Sequence, residues 1–566
     1  MKKNISIADT FQGAFFIAGI LAPLFYITGI WILSLTSGKC FNEVILYSFD
    51  PVKYKLPLLA AILIKPAVII SAFLLILTFP GALFALVFLK KSPTLGLTKF
   101  LSLSFVFNIA LLFFGTTFLK IFGIAIDRKW LVILIIAATL VAFILAIKKK
   151  IAFTKYDFRA HKDSFLMLFI LIFIIMGFII SFQDSVLRPL PVNFDYSEEA
   201  VIKAGAMNIG ARQTEMGVAH YLKTKIFPYW LIEYLGRFGI YLWTPPLPYY
   251  LDFFNVTLLG ESYASFSLMF LLFACCIFLF VYKIIRIGGL KENKKSILFY
   301  LAPALFMLSF LWLYMLPNRR IDLPVFVCPA NSIFNTLQGL WIFLIMGLIF
   351  FIIQKELWLA VVFSIIASLS RYETIPIVLV LTLLAYHFNR DPVFIKSFLK
   401  RYCAFSVIFI AGIIALALSH EHGIKYLQGL IFDKIFIRSD WLRDKFSLPT
   451  VHQQIWWHFN IYITMVFIKS VMLTTYFYFP VSFLPSRDKI SKFCSLFAVI
   501  YFLAIVIQSH KLLSYAGLLI PLAGINIRRF IYPGRKQQWA SLLAYFVILF
   551  LGAYYFLVVL KDYNLI

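Results

Sequence analysis

The amino-acid sequence predicts an all-α polytopic membrane protein with about 15 transmembrane helices. Of its 566 residues, 62% are hydrophobic and 14% are charged. Apolar runs long enough to cross about 30 Å of hydrocarbon recur along the chain. Such runs persist in lipid only as helices, because a helix satisfies its own backbone hydrogen bonds where water is absent.

The charge pattern supports this fold class and argues against a nucleic-acid partner. The net charge is +27, but Lys and Arg lie in short clusters between apolar runs and form no continuous basic stripe. Clusters at the ends of spans are what the bias of Lys and Arg towards the cytoplasmic side produces. The expected partner is therefore the lipid bilayer.

The orientation follows from the most basic loop, 148–163, which we assign to the cytoplasm. The N-terminus is then cytoplasmic and the C-terminus external. Two long segments, 183–248 and 420–460, face outward, and we expect both to carry short helices, one of them over 198–209. The predicted location is the plasma membrane of a bacterium or archaeon.

Three regions follow from this topology. Residues 1–163 form an extra N-terminal bundle of four spans. Residues 164–388 form a membrane core that includes the outward loop 183–248. Residues 389–566 form the C-terminal spans with the outward loop 420–460.

One hairpin is required for the charge bias to hold. A single span over 357–388 would place the basic cluster 390–401 outside the cell. The sequence therefore predicts two short helices that turn at Ser370-Arg371-Tyr372-Glu373. An Arg at membrane depth costs about 2.5–3.5 kcal/mol by insertion scales, which makes Arg371 a functional candidate. The alternatives are an ion pair with Glu373 or a side chain that extends to the interface.

A carboxylate cluster follows the fifth predicted span. Asp195, Glu198 and Glu199 lie close to the outer membrane face, where partial loss of water would raise a carboxyl pKa towards that of a useful base. A carboxylate here is a candidate general base for an acceptor hydroxyl. Capping of the predicted helix is the alternative.

Several motifs then occur in a suggestive order. They are Tyr196-Ser197-Glu198-Glu199, Thr244-Pro245-Pro246-Leu247, Leu259-Gly260-Glu261-Ser262, Ser370-Arg371-Tyr372-Glu373 and the segment from Ser509 through His510, Lys511 and Tyr515. The prolines predict that no helix begins before about Tyr249. This order resembles the GT-C glycosyltransferases, notably the protein O-mannosyl and lipid A aminoarabinose transferase relatives. The resemblance covers 164–527 and leaves out the first four spans.

The resemblance implies an inverting transfer of a sugar from a polyprenyl-phosphate donor to a glycan, lipid or protein acceptor on the outer side. Residues 164–388 would be the GT-C-like catalytic core. The implied catalytic residues are Asp195, Glu198 and Glu199. The implied substrate-binding residues are Arg371, Glu373, His510, Lys511, Tyr515, Thr244 and Glu261. The chain departs from the family where Ser197 stands for Asp and Thr244 for His.

Other functions stay open at this point. A transporter or flippase of a lipid-linked or amphipathic solute would also place charges at membrane depth. A non-catalytic GT-C relative would account for the altered motifs. His510 and Lys511 would then serve only as interfacial anchors at the ends of spans.

No cofactor is predicted. His420, Glu421, His422, His452 and His458 offer ligands for a divalent metal, but their spacing forms no recognised zinc pattern. We therefore favour an interfacial loop over a metal site. The six cysteines show no Cys-x-x-Cys spacing, so neither a zinc site nor a disulfide framework is expected.

Overall fold

The computed structural model describes residues 7–44, 58–88, 97–148, 247–259, 263–288, 336–371, 373–389, 391–421, 423–424, 427, 482–484, 488–507 and 517–526. These residues are mostly helical and include no strand, so the predicted all-α class is confirmed for this part of the chain. Four helices are long and apolar enough to cross a membrane, which indicates a membrane protein. Their apolar segments are Thr98–Ile121, Arg128–Leu145, Pro392–Ala415 and Lys489–Val506. The total of about 15 spans stays a prediction.

The described helices are numbered in chain order. They are α1 Ile7–Ser37, α2 Leu58–Leu77, α3 Gly81–Phe88, α4 Leu97–Ile121, α5 Arg128–Lys148, α6 Leu247–Leu259, α7 Tyr263–Gly288, α8 Thr336–Ile353, α9 Leu357–Ser370, α10 Thr374–Asn389, α11 Pro392–Leu418, α12 Lys489–Ile507 and α13 Leu519–Asn526. They divide into two compact units, and the boundary between the units falls inside α7, after Met269.

The N-terminal unit contains α1 to α6. Helix α1 packs on α2 and α5, α3 packs on α4 and α5, and α6 contacts α2, α4 and α5. Large apolar side chains such as Phe25, Phe114 and Leu140 are exposed on the outer faces of α1, α4 and α5. Exposed apolar faces of this kind are expected where helices border lipid.

A single side chain, that of Asn108, hydrogen-bonds to the backbone at the helix break between α2 and α3. Pro80 has no N–H, so the carbonyl of Ile76 lacks its usual helical donor. The Asn108 Nδ2 donates to the carbonyls of Leu75 at 2.7 Å and Ile76 at 2.6 Å, and its Oδ1 accepts from the N–H of Gly81 at 3.0 Å. The Asn108 side chain therefore bridges the two sides of the break inside the unit.

Helix α6 begins at Leu247, two residues before the position predicted from the prolines. The prediction was wrong because Pro248 lies in the first helical turn, where the missing N–H leaves no helical hydrogen bond unmade.

The C-terminal unit contains the rest of α7 together with α8 to α13. Helix α8 packs most extensively on α9, and α9 also packs on α11. Phenylalanine rings fill the contact between α7, α8 and α9, with the rings of Phe351 and Phe363 centred 4.9 Å apart. A Cβ at Gly347 would lie 2.2 Å from the Phe363 ring, so the glycine permits this close approach of α8 and α9.

The hairpin prediction is confirmed. Helices α9 and α10 are two short helices of 14 and 16 residues that turn at residues 371–373. At 1.5 Å per residue they are about 21 and 24 Å long, less than the hydrocarbon thickness of about 30 Å. The Lys355 Nζ lies 2.9 Å from the Asp391 Oδ2, which joins the two turns at the opposite end of the hairpin from Arg371.

A buried amide fixes the short helix α13. The Asn526 Nδ2 donates to the Ser482 carbonyl at 2.8 Å and the Ser495 Oγ at 2.9 Å, and its Oδ1 accepts from the Ser491 Oγ at 2.7 Å. Because the Asn526 side chain is fully paired, it ties α13 to α12 without leaving a buried polar atom unsatisfied.

Some predictions lie outside the described residues. These are the helix over 198–209, the loop 183–246 and the loop from 428 to 460. The regional boundaries near 163 and 388, and the orientation of both termini, stay predictions.

Candidate functional site

Two of the predicted site residues, Arg371 and Glu373, can be located. The others lie outside the described residues, namely Asp195, Glu198, Glu199, Thr244, Glu261, His510, Lys511 and Tyr515. The described part of the candidate site therefore lies between α9 and α10.

Arg371 closes the C-terminus of α9. Its N–H donates to the carbonyl of Ala367 at 2.9 Å, and the residue is only 9% exposed. A cation at this position also interacts favourably with the negative end of the helix dipole. The backbone thus fixes the point from which the guanidinium extends.

An indole ring supports the Arg371 guanidinium. The Cζ lies 5.4 Å from the centre of the Trp341 ring, within cation–π range. The Trp341 Nε1 donates to the Thr374 Oγ1 at 2.9 Å, and that hydroxyl donates to the Ala367 carbonyl at 2.9 Å. Helices α8, α9 and α10 therefore hold the ring in one orientation.

Glu373 forms a long ion pair with Arg371. The Arg371 Nε and the Glu373 Oε2 are 3.9 Å apart, which exceeds hydrogen-bond distance. The alternative named above, an ion pair between these two residues, is therefore present in the structure. Because the pair is long, the carboxylate offsets the Arg371 charge without a direct Nε–Oε2 hydrogen bond.

The opposite end of the hairpin has its own charged groups. The Arg401 Cζ lies 3.9 Å from the centre of the Trp358 ring. The hydrogen bond from the Lys355 ammonium, helped by the N–H of Phe394, lowers the pKa of the Asp391 carboxyl below its ordinary value. Cations and an exposed tryptophan at one end of a helix are typical of a membrane interface.

Two cations that lie buried beside α6 in the N-terminal unit were missed from the sequence. Lys120 and Arg128 are each 3% exposed, and they lie on either side of the short connection between α4 and α5. A lone Lys in the last turn of an apolar span is the signal that points to such a group. Its burial depends on α6, which follows more than 120 residues later.

Arg128 is fully engaged with backbone carbonyls. Its Nε donates to Thr257 at 2.9 Å, its Nη2 to Val44 at 2.6 Å and its Nη1 to Phe41. The Thr257 carbonyl belongs to the last turn of α6, where helical partners run out. The Tyr26 hydroxyl donates to the next carbonyl, that of Leu258. Arg128 and Tyr26 therefore cap α6 and anchor it to α1 and α5.

Lys120 has no such acceptor. Its Nζ lies 4.8 Å from the centre of the Tyr250 ring and 5.5 Å from that of Phe253, both on α6. It makes no hydrogen bond in the described structure. On α6, the buried side-chain amide of Asn255 also has no hydrogen-bond partner in the described structure, at either its Nδ2 or its Oδ1.

No group of three or more potential metal ligands occurs among the described residues. His422, His452 and His458 lie outside them, so the metal question stays with those loops.

No protein-family model, curated protein or solved structure matches the chain.

Proposed function

We propose that this chain is a multi-pass membrane glycosyltransferase of the GT-C type, with about fifteen spans. It transfers a sugar from a polyprenyl-phosphate donor to an acceptor on the outer side of a bacterial or archaeal plasma membrane. The N-terminus is cytoplasmic and the C-terminus is external. The acceptor is a glycan, a lipid or a protein.

The observation that supports this proposal best is the buried Arg371 turn. Its guanidinium is positioned by Trp341 and lies at the end of the hairpin away from the basic cluster 390–401. That cluster favours the cytoplasmic side, so Arg371 belongs near the outer headgroups. A guanidinium binds phosphate oxygens through two parallel N–H donors, which suits the phosphate of a lipid carrier.

The proposed reaction is a single displacement. Asp195, assisted by Glu198 or Glu199, takes the proton of the acceptor hydroxyl. The hydroxyl oxygen forms a bond to the anomeric carbon as the bond from that carbon to the phosphate oxygen breaks. The electron pair leaves with the polyprenyl phosphate, whose charge Arg371 and Lys511 stabilise. Attack opposite the leaving group inverts the anomeric configuration.

The remaining candidates have binding roles. Glu373 sets the orientation of the Arg371 side chain through their ion pair. His510 and Tyr515, which flank Lys511 in sequence, complete the phosphate site. Thr244 and Glu261, which precede and follow α6, contact the sugar or the acceptor.

The test is a transfer assay with the purified full-length chain, a radiolabelled polyprenyl-phosphate sugar and an acceptor fraction from the same cells. We expect Asp195→Asn to lower the rate at least a hundredfold, the range that general bases contribute. Full activity in Asp195→Asn, Glu198→Gln and Glu199→Gln would exclude the mechanism.

Arg371 has a matched control in the same unit. Arg371→Met should lower the transfer rate at least tenfold, and Arg371→Lys should recover only part of it, since a lysine lacks the paired donors. Arg401→Met removes another cation stacked on a tryptophan, at the other end of α9, and should leave the rate within about twofold. Equal losses in the two Met variants would indicate a general effect on membrane insertion.

A flippase or transporter of a lipid-linked solute is the second candidate. The break between α2 and α3 favours it, because discontinuous helices often line transport sites. Here the Asn108 side chain hydrogen-bonds to the backbone groups at the break. Those groups are therefore already paired and are not free to bind a solute. A non-catalytic relative is a further alternative. Solute movement across sealed vesicles without sugar transfer would favour the flippase, and the absence of both would favour the non-catalytic relative.

A further inference from the structure

The end of the N-terminal unit where α4 meets α5 carries buried positive charge that has no carboxylate partner among the described residues. There Arg128 donates to carbonyl groups, and the Lys120 ammonium lies against two rings without a hydrogen bond. Asp127 is used elsewhere, because its Oδ1 accepts from the N–H of Trp130 and its Oδ2 accepts from the Asn42 Nδ2, each at 3.0 Å. Charge buried in this way is costly unless an anion joins it.

Lysines near the ends of spans commonly extend to the interface, where water solvates the ammonium. Lys120 does the opposite, since it lies under Tyr250 and Phe253 with its Nζ inaccessible to solvent. The two rings hold the ammonium by cation–π contact but cannot neutralise its charge. In the described structure the ammonium therefore lies against two rings with its hydrogen-bond donors unused.

The surroundings indicate the class of anion. Phe118, Ile121 and Phe122 are largely exposed beside Lys120, so this end of α4 presents an apolar surface to lipid. Lys120 lies one residue from the end of the apolar segment Thr98–Ile121, and the end of a span is expected at the level of the lipid headgroups. Binding of an anion from that surface would require the ammonium to leave the two rings by rotation about its four side-chain bonds. An anion with apolar chains, namely a lipid phosphate, fits both features.

We propose that Lys120 binds the phosphate of a lipid at this end of the N-terminal unit. In the predicted topology this end is external. Helix α6, whose rings contact Lys120, begins directly after Pro245 and Pro246 of the family-like motif. If the proposed function holds, on which this identification rests, the lipid is the polyprenyl-phosphate carrier.

The test uses the full-length chain in a non-ionic detergent and measures thermal stabilisation by added polyprenyl phosphate. Polyprenol, which has the same chain without the phosphate, should stabilise much less. Lys120→Met should weaken the apparent affinity for polyprenyl phosphate at least tenfold, which corresponds to about 1.4 kcal/mol. Without lipid, this variant should melt at the same temperature as the wild type or higher, because it removes an uncompensated charge.

The controls separate this role from general charge and from packing. Lys129→Met removes an exposed cation at the same end and should leave the affinity unchanged. Lys120→Gln keeps a polar side chain of similar length and serves if the Met variant does not fold. Wild-type affinity in both Lys120 variants, or equal stabilisation by polyprenol, would overturn the proposal.

Phosphatidylglycerol distinguishes the two sources of lipid phosphate. Equal Lys120-dependent binding of both lipids indicates a site for general phospholipid, and preference for polyprenyl phosphate indicates the carrier; either result supports the proposal. The assay needs no turnover. Lys120-dependent binding by a chain without transferase activity would therefore reject only the proposed function. An active transferase in which Lys120→Met binds normally would reject only this inference.

Discussion

At the break between α2 and α3, all the hydrogen-bonding atoms of the Asn108 side chain have backbone partners. The polar ends of Lys120 on α4 and of Asn255 on α6 have none in the described structure. Both regions are buried in the same unit, so burial alone does not explain the difference. The Asn108 side chain supplies hydrogen bonds to backbone groups that the helix break leaves without partners. Buried polar groups without partners lower the free energy of unfolding, and we expect such groups where a ligand offsets that cost.

The largest effect should come from Arg128, the paired neighbour of Lys120. Arg128→Met would leave the carbonyls of Phe41, Val44 and Thr257 without donors and would free the end of α6. Hydrogen bonds to a charged group contribute about 1.5–3 kcal/mol each, so we expect a loss of about 4 kcal/mol or more. Size-exclusion chromatography and thermal melting in detergent measure it. If Arg128→Met melted at the same temperature as the exposed control Lys129→Met, the hydrogen bonds of Arg128 would not contribute to the stability of the fold.

Asn108 and Asn255 allow the same substitution in the two regions. Asn108→Leu leaves two carbonyls and an N–H unpaired at the helix break and should destabilise the protein by about 3 kcal/mol. Asn255→Leu removes an amide that has no hydrogen-bond partner in the described structure and should leave the melting temperature unchanged or raise it. Comparable losses in the two variants would remove the distinction between paired and unpaired regions.

A pair of glycines tests whether the helix break also depends on close packing. A Cβ at Gly81 would lie 2.1 Å from the Ser104 carbonyl oxygen and 2.5 Å from the Asn108 backbone nitrogen, whereas one at Gly412 meets nothing within 4 Å. Gly81→Ala should therefore cost about 1–3 kcal/mol through displacement of α3 from α4. Gly412→Ala should keep or slightly raise the wild-type melting temperature, because Ala favours the helix interior more than Gly does. An unchanged melting temperature in Gly81→Ala would mean that the backbones separate without cost.

The sequence was informative wherever local pattern decides structure. Apolar runs predicted the helices, and the charge bias predicted the hairpin at Arg371, because both depend on nearby residues and on the bilayer. The partner of the Ile76 carbonyl could not be predicted, since it depends on an Asn that lies 32 residues later. The burial of Lys120 was equally hidden. The local sequence around a lysine in the last turn of a span is the same whether its side chain reaches water or lies under a helix that is distant in sequence.

The smallest effect should come from a pair that is exposed rather than buried. The Lys355 ammonium lowers the pKa of Asp391 in the folded protein, so the pair stabilises the fold above the ordinary Asp pKa of about 4 and loses this contribution as the pH falls through the lower folded value. Asp391→Asn should slightly lower the melting temperature at pH 7 and not at all at strongly acid pH. An Asn side chain can still accept the hydrogen bond from the Phe394 N–H. A difference in melting temperature that persisted in acid would therefore indicate that the substitution had altered the geometry of this helix cap. Because water screens this pair, it shows how small a charge contribution becomes outside the buried regions where Lys120 and Arg128 lie.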